Sequence, residues 1–293
     1  MTLHAGEGYA RVDGGWVWYG VVGSGNATPL LCVHGGPGFS HDYLESLADL
    51  ADERPVVFYD QLGCGNSERP DDESLWILER FVAELGQVRD ALGLERVHIL
   101  GQSWGSMVLV DYALTRAPGI DSMVLASPCL SVSRWLRDVN LLRRALPPQI
   151  QEVLDRHEAV GTLASAEYQA AMTEYNRRHL CRIDPWPIEL DRSMAKAGRA
   201  VTSAMWGPSE FSMSRGNLRY YDRTPRLREI ERPVLWTCGR FDQARPETVS
   251  HYQSLLPGSE CVLFERSSHT SHIEERAHYV QVVREFLRRV ETA

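Results

Sequence analysis

Three side chains far apart in the sequence have the types, and the order, of a serine nucleophile with its helpers. Ser103 lies in Gly101-Gln102-Ser103-Trp104-Gly105, a G-x-S-x-G pattern. A serine hydroxyl attacks a carbonyl well only when a base takes its proton and an acid orients that base. His269 and Asp242 could supply those roles, and they follow Ser103 in the order serine, aspartate, histidine. His269 would accept the serine proton and pass it to the leaving group. Asp242 would fix the imidazole tautomer and stabilise the imidazolium. Both assignments have competitors: Asp242 also reads as a turn or helix-cap aspartate ahead of Pro246, and His272 lies three residues from His269. A developing oxyanion needs N–H donors. Trp104, directly after the serine, offers one, and the glycines of His34-Gly35-Gly36-Pro37-Gly38 can turn the N–H of Gly35 or Gly36 inward beside it.

The pattern G-x-S-x-G is common by chance, so its weight comes from its setting. Val97 to Leu100 reads as a short buried strand, and Met107 to Leu114 as an apolar helix ending before Pro118. Strand, sharp turn and helix make a nucleophile elbow. The other candidates also follow apolar runs: Leu30–Val33 precedes His34, Pro233–Cys238 precedes Asp242, and Glu260–Phe264 precedes His269. Pro55–Tyr59 and Ser122–Ala126 predict two more strands, and Tyr9–Val12 with Trp16–Val22 a hairpin around Asp13-Gly14-Gly15. Helical spacing over 43–50, 76–92, 247–256 and 273–290 alternates with these strands. The pattern predicts an α/β fold of the α/β-hydrolase type, a mostly parallel central sheet with helices on both faces. Between 131 and 225 strand signals stop, and 134–146, 150–160, 166–180 and 189–204 read as helices. The expected organisation is a core of 1–130 and 226–293, with a helical cap over 131–225 inserted after the sixth strand, above the carboxyl ends of the strands where such sheets bind ligands.

Composition narrows the partners. The chain has 293 residues, 43% of them hydrophobic and 24% charged, as expected of a globular protein. Asp and Glu number 39 against 31 Lys and Arg, a net charge of −8 that argues against a nucleic-acid partner. No apolar stretch reaches the length of a membrane span and no signal peptide is visible, so a cytoplasmic location is expected. Cys32, Cys64, Cys129, Cys181, Cys238 and Cys261 form no C-x-x-C pair and read as buried free thiols. The absence of a ligand cluster or phosphate loop predicts a reaction without metal or cofactor. The oligomeric state is left open.

Together, His34-Gly35-Gly36-Pro37-Gly38, Asp60-Gln61-Leu62-Gly63-Cys64-Gly65-Asn66-Ser67 and Gly101-Gln102-Ser103-Trp104-Gly105-Ser106 resemble the proline iminopeptidase (prolyl aminopeptidase) family of α/β-hydrolases. Gly239-Arg240-Phe241-Asp242 and Ser268-His269 fit its acid and base positions. Trp206-Gly207-Pro208-Ser209-Glu210-Phe211 looks like a cap segment of its tricorn-interacting aminopeptidase branch, and the likeness covers nearly the whole chain. The resemblance implies a serine hydrolase that removes an N-terminal residue, proline or another small or apolar one, from short peptides or amino-acid amides through an acyl-enzyme. In that branch a cap glutamate anchors the substrate's α-amino group, and Glu210 matches it. An acidic residue directly follows the triad aspartate there, whereas this chain has Gln243. That departure keeps open an amidase, esterase or lactonase acting on amino-acid derivatives. A non-catalytic binding protein of the same fold is disfavoured by the intact Ser103, Asp242 and His269. Chemistry also supports Glu210 by itself: a carboxylate among lid aromatics needs a cation, either a substrate ammonium or Arg215, unless it is solvated. Of those aromatics, Trp206 is expected to line the pocket.

Overall fold

The computed structural model describes residues 3–212 and 215–292. Eight strands form one sheet: β1 (Gly6–Val12), β2 (Gly15–Val22), β3 (Leu30–Val33), β4 (Val56–Tyr59), β5 (Val97–Gln102), β6 (Ile120–Ala126), β7 (Val234–Gly239) and β8 (Glu260–Phe264). Their order is β1-β2-β4-β3-β5-β6-β7-β8. β2 pairs antiparallel with β1 and β4, and every later neighbour is parallel. The apolar runs are explained by this layering. A parallel strand buried on both faces has no solvent side, so β3, β4, β5 and β7 are buried at every position. One apolar cluster lies on each face of the sheet, with Ile99 and Val57 in the first and Leu100 and Phe58 in the second.

The covering helices are α1 (Leu78–Ala91), α2 (Trp104–Leu114), α8 (Pro246–Ser254), α9 (Ser271–Glu274) and α10 (Arg276–Thr292). After β6 the chain makes a long excursion through α3 (Val132–Arg144), α4 (Pro148–Val160), α5 (Ala166–His179), α6 (Ile188–Ala195) and α7 (Arg199–Met205). Its two ends are pinned together: Ser131 bridges Asp222, Val132 N–H donates to Tyr221 O at 3.0 Å, and Arg223 N–H donates to Leu130 O at 2.9 Å.

Three expected helices differ from the sequence reading. The segment His41–Leu50 is wound as a 3₁₀ helix. Its side chains are held from outside, His41 by Asp60 and Asp42 by Lys196 of the cap, and these tertiary partners override local preference. The helix expected over 189–204 is split at Gly198. There the cap backbone touches the core: Gly198 N–H donates to Gly38 O at 2.7 Å, and a Cβ at Gly198 would stand 2.2 Å from Gly63 O. The last helix is interrupted at Glu275, whose carboxylate turns back to accept from Arg266 N–H (2.9 Å) and Ser267 Oγ (2.6 Å). Of the six free cysteines, five are buried as expected. Cys261 is exposed, because β8 is the sheet's edge strand.

Candidate active site

Ser103 stands between β5 and α2 with φ 53° and ψ −118°, outside the regions an L-residue prefers. Close packing requires the two glycines of the pattern. A Cβ at Gly101 would lie 2.5 Å from Gly105 O, and one at Gly105 would lie 2.2 Å from Val33 O. Glycine therefore lets the turn close against β3, and the turn sets Ser103 in a cavity at the carboxyl end of the sheet.

Asp242, in the turn after β7, is 1% exposed. Its carboxylate accepts the N–H of Ala244 (2.8 Å) and of Gly239 (3.3 Å). Its Oδ1 also lies 2.7 Å from His269 Nδ1. That contact puts a proton on Nδ1 and turns Nε2 outward as the basic nitrogen. It is the one hydrogen bond of the His269 ring among the described residues, and a contact between nucleophile and base is often long until substrate aligns it. The His269 carbonyl is anchored by Gln102 Nε2 (3.1 Å) and Ser127 Oγ (3.2 Å). His272 is elsewhere. It is 2% exposed, its Nε2 donates to Tyr43 O at 3.1 Å, and burial pushes its pKa down to about 3. A histidine so committed faces no substrate, and His272 does not line the cavity.

Gly36, with φ +121°, and Trp104 both line the cavity. Gly35 requires a correction. Its N–H donates to Tyr43 Oη at 2.7 Å and is not available to an oxyanion. Tyr43 in turn donates to Gln102 Oε1 at 2.7 Å. Sequence reasoning missed this link, because no local pattern pairs Tyr43 with the glycine loop.

The cap supplies the opposite wall. Trp135, Met172, Asn176, Leu180, Trp206 and Glu210 line it, and Gln243 joins them from beside Asp242. Among the described residues, Glu210 is the one carboxylate in the lining, and no Lys or Arg lines it. Its partner is Trp135, whose indole Nε1–H donates to Oε1 at 2.7 Å. The alternative partner, Arg215, is exposed. Burial pushes the Glu210 carboxyl up to about 7, against the lowering effects of the Trp135 hydrogen bond and the nearby His269. Trp135 was also missed as a wall residue. Its ring meets His269 edge-on at 5.6 Å and Trp206 at 5.9 Å. The cavity is small, about 160 Å³. An engineered apolar cavity of roughly 150 Å³ holds a single benzene ring, so this space suits one compact residue.

Outside the cavity, among the described residues, His41, Asp42 and Glu45 bring ligand atoms within 4.8 Å of one another. Cations already hold both carboxylates, Lys196 at Asp42 and Arg192 at Glu45, and none of the three lines the cavity. No helix among the described residues is long and apolar enough to cross a membrane.

Comparison with known proteins agrees with this geometry. Residues 28–276 match the model of the alpha/beta hydrolase fold. A proline iminopeptidase of Heyndrickxia coagulans is 44% identical over 283 residues, 96% of this chain and 98% of that one. The crystal structure of a proline iminopeptidase from Mycobacterium smegmatis superposes with a TM-score of 0.90 at 34% identity, covering 98% of this chain and 99% of that one. The crystal structure of VinJ superposes with a TM-score of 0.93 at 34% identity, covering 97% and 99%. The chain belongs to the proline iminopeptidase family of α/β-hydrolases.

Proposed function

We propose that this protein is a cofactor-independent serine aminopeptidase that releases an N-terminal residue, proline or another small apolar one, from short peptides or amino-acid amides. The observation that carries this reading is a single carboxylate, Glu210, on the wall of a small cavity that also holds Ser103 and His269. A free α-ammonium is the cation Glu210 lacks, and the carbonyl one carbon further on is the group a serine attacks. Ser103 Oγ adds to that carbonyl as His269 takes its proton. The oxyanion forms against the N–H of Gly36 and of Trp104, at the N-terminus of α2. His269 then gives the proton to the departing amine, leaving the residue as an ester on Ser103. Water, activated by the same histidine, releases the free amino acid.

Glu210 Oε1 already accepts from Trp135, so Oε2 and the Gln243 amide oxygen are the acceptors open to the ammonium. A secondary ammonium such as that of proline has two N–H donors, which two acceptors satisfy. The neutral Gln243 also supports a second reading, an amidase or esterase acting on amino-acid derivatives with weaker demand for the free amine. Rates on prolyl, alanyl and phenylalanyl p-nitroanilides against N-acetylprolyl and p-nitrophenyl esters separate the two. The aminopeptidase reading expects the free-amine prolyl substrate to lead by tenfold or more, and equal kcat/KM with and without the N-acetyl group sinks it. Ser103→Ala should lower kcat by about 10⁴-fold or more on every substrate.

A further inference from the structure

The segment Asp60–Ser67 follows β4 and contributes nothing to the cavity wall. Its second residue nevertheless touches both stretches of chain that carry the oxyanion donors. Gln61 Oε1 accepts the indole Nε1–H of Trp104 at 2.8 Å. Gln61 Nε2–H donates to His34 O at 2.9 Å, and Gln61 N–H donates to His34 Nε2 at 2.9 Å. Gln61 and Trp104 are each 1% exposed and His34 is fully buried, so water cannot replace these bonds.

The histidine is set to receive its share. His34 Nδ1–H donates to Gly35 O at 2.9 Å, leaving Nε2 as an acceptor. Burial pushes its pKa down to about 4, so the ring stays neutral and keeps that acceptor at physiological pH. On the far side, Gly35 N–H is held by Tyr43 and, through it, by Gln102. The loop is thus fastened at His34 and at Gly35, and the next N–H along is that of Gly36. Trp104 is fastened through its side chain to the same glutamine that holds His34.

We propose that Gln61 is a positioning residue of the oxyanion hole: its amide ties Trp104 to the His34–Gly36 loop and sets the separation of the two N–H donors. Such donors work because they are already aimed at the place where charge develops, so loosening their mutual geometry weakens the transition state and leaves ground-state binding alone. The inference rests on the serine-hydrolase reading given above.

The test uses Gln61→Met, close in shape but unable to make either side-chain bond, and Gln61→Glu, which still accepts from Trp104 but cannot donate to His34 O. Both are assayed on prolyl p-nitroanilide. Prolinal, the aldehyde of proline, serves as a probe of the tetrahedral adduct. For Gln61→Met kcat is expected to fall about 10- to 50-fold, short of the 10²- to 10³-fold loss from removing a donor outright. KM should stay within twofold, prolinal should weaken by the same factor as kcat, and Gln61→Glu should fall between. Trp104→Phe, which removes the indole N–H contact to Gln61 together with part of the ring packed against Phe81, should also lower kcat, and the double variant should lose less than the product of the single losses. If Gln61→Met does not fold, Gln61→Glu and Trp104→Phe carry the same test. A normal kcat and normal prolinal affinity in a protein that merely melts earlier makes Gln61 a structural brace and overturns the proposal. A raised KM at constant kcat does so as well. Activity surviving Ser103→Ala, or a wild-type enzyme indifferent to prolinal, overturns the serine-hydrolase reading and this inference with it.

Discussion

Glu210→Gln should make the protein more stable and less active, and the gain in stability should depend on pH. An ordinary glutamate has a pKa near 4.5, and this one is pushed up to about 7. Its folded-state pKa therefore lies above its unfolded value, the reverse of a salt-bridged carboxylate. Below pH 4.5 the group is neutral in both states and costs nothing. As pH rises from 4.5 to 7 the unfolded chain ionises first, so the native state loses stability, and above 7 the full cost is present. At ~1.4 kcal/mol per pH unit that cost is about 3 kcal/mol. Glutamine keeps the oxygen that accepts from Trp135 and removes the charge, but its buried NH₂ gives back about 1 kcal/mol. The net gain of about 2 kcal/mol above pH 7 corresponds to a rise in Tm of roughly 4 °C for a chain of this size. Thermal melts of wild type and variant at pH 4.5 and pH 8 check it: the variant should melt slightly lower at pH 4.5, where only the about 1 kcal/mol cost of its NH₂ remains, and higher than wild type at pH 8. The same preparation should lose about 10- to 150-fold in kcat/KM on prolyl p-nitroanilide, as expected when a charge-assisted contact worth about 1.5–3 kcal/mol disappears, while an N-acetylated ester is spared. A variant that melts lower than wild type at pH 8, or shifts equally at both pH values, refutes the claim that Glu210 is a desolvated carboxylate without a cation. Equal losses on the amine and acetylated substrates refute its role as an amine anchor.

Four further outcomes follow from the same geometry. In the wild type, KM for a prolyl substrate should rise as pH falls below about 7, because protonating Glu210 removes the anion that holds the ammonium; the Glu210→Gln enzyme should lack that limb, and steady-state KM from pH 5 to 8 reads it. His269→Ala should abolish turnover to the same degree as Ser103→Ala. His272→Ala should instead lower Tm, through a lost buried hydrogen bond and the cavity left behind, with kcat within a few-fold of wild type; the reverse outcome moves the base by three residues. Gln243→Glu should lower KM for free-amine substrates by adding a second anion to the wall, and an unchanged KM places Gln243 outside the amine's reach.

Much of this architecture is legible in the sequence, for reasons that can be named. A parallel strand covered on both faces must be a continuous apolar run, and Leu30–Val33, Val56–Tyr59 and Val97–Leu100 have no other economical reading. Gly101 and Gly105 are fixed by contacts of 2.5 and 2.2 Å that any Cβ would make with backbone, so the tight turn that presents Ser103 announces itself through its neighbours. The features that were not legible depend on partners distant in sequence. The break at Gly198 comes from the core residues Gly38 and Gly63, more than a hundred positions earlier. Gly35 looks equivalent to Gly36 as an oxyanion donor until Tyr43 is seen to hold its N–H.

Trp135 and Gln61 extend the point. An aromatic at the start of a cap helix carries no mark that separates a wall residue from core packing. Only the fold places Trp135 so that its indole nitrogen holds Glu210 while its ring flanks His269. This single side chain therefore joins the residue proposed to bind the amine to the residue proposed to move the proton, and it does so from the cap. Gln61 is its counterpart from the core, joining Trp104 to the glycine loop. Ser103 and Asp242, the proposed nucleophile and acid, are held by their own turns, through local glycines and backbone N–H groups. On the proposed roles, the relative placement of amine anchor, base and oxyanion donors would instead be held by side chains whose types, Trp and Gln, have no reactive chemistry. That division explains why a motif search finds what reacts and passes over what aims it.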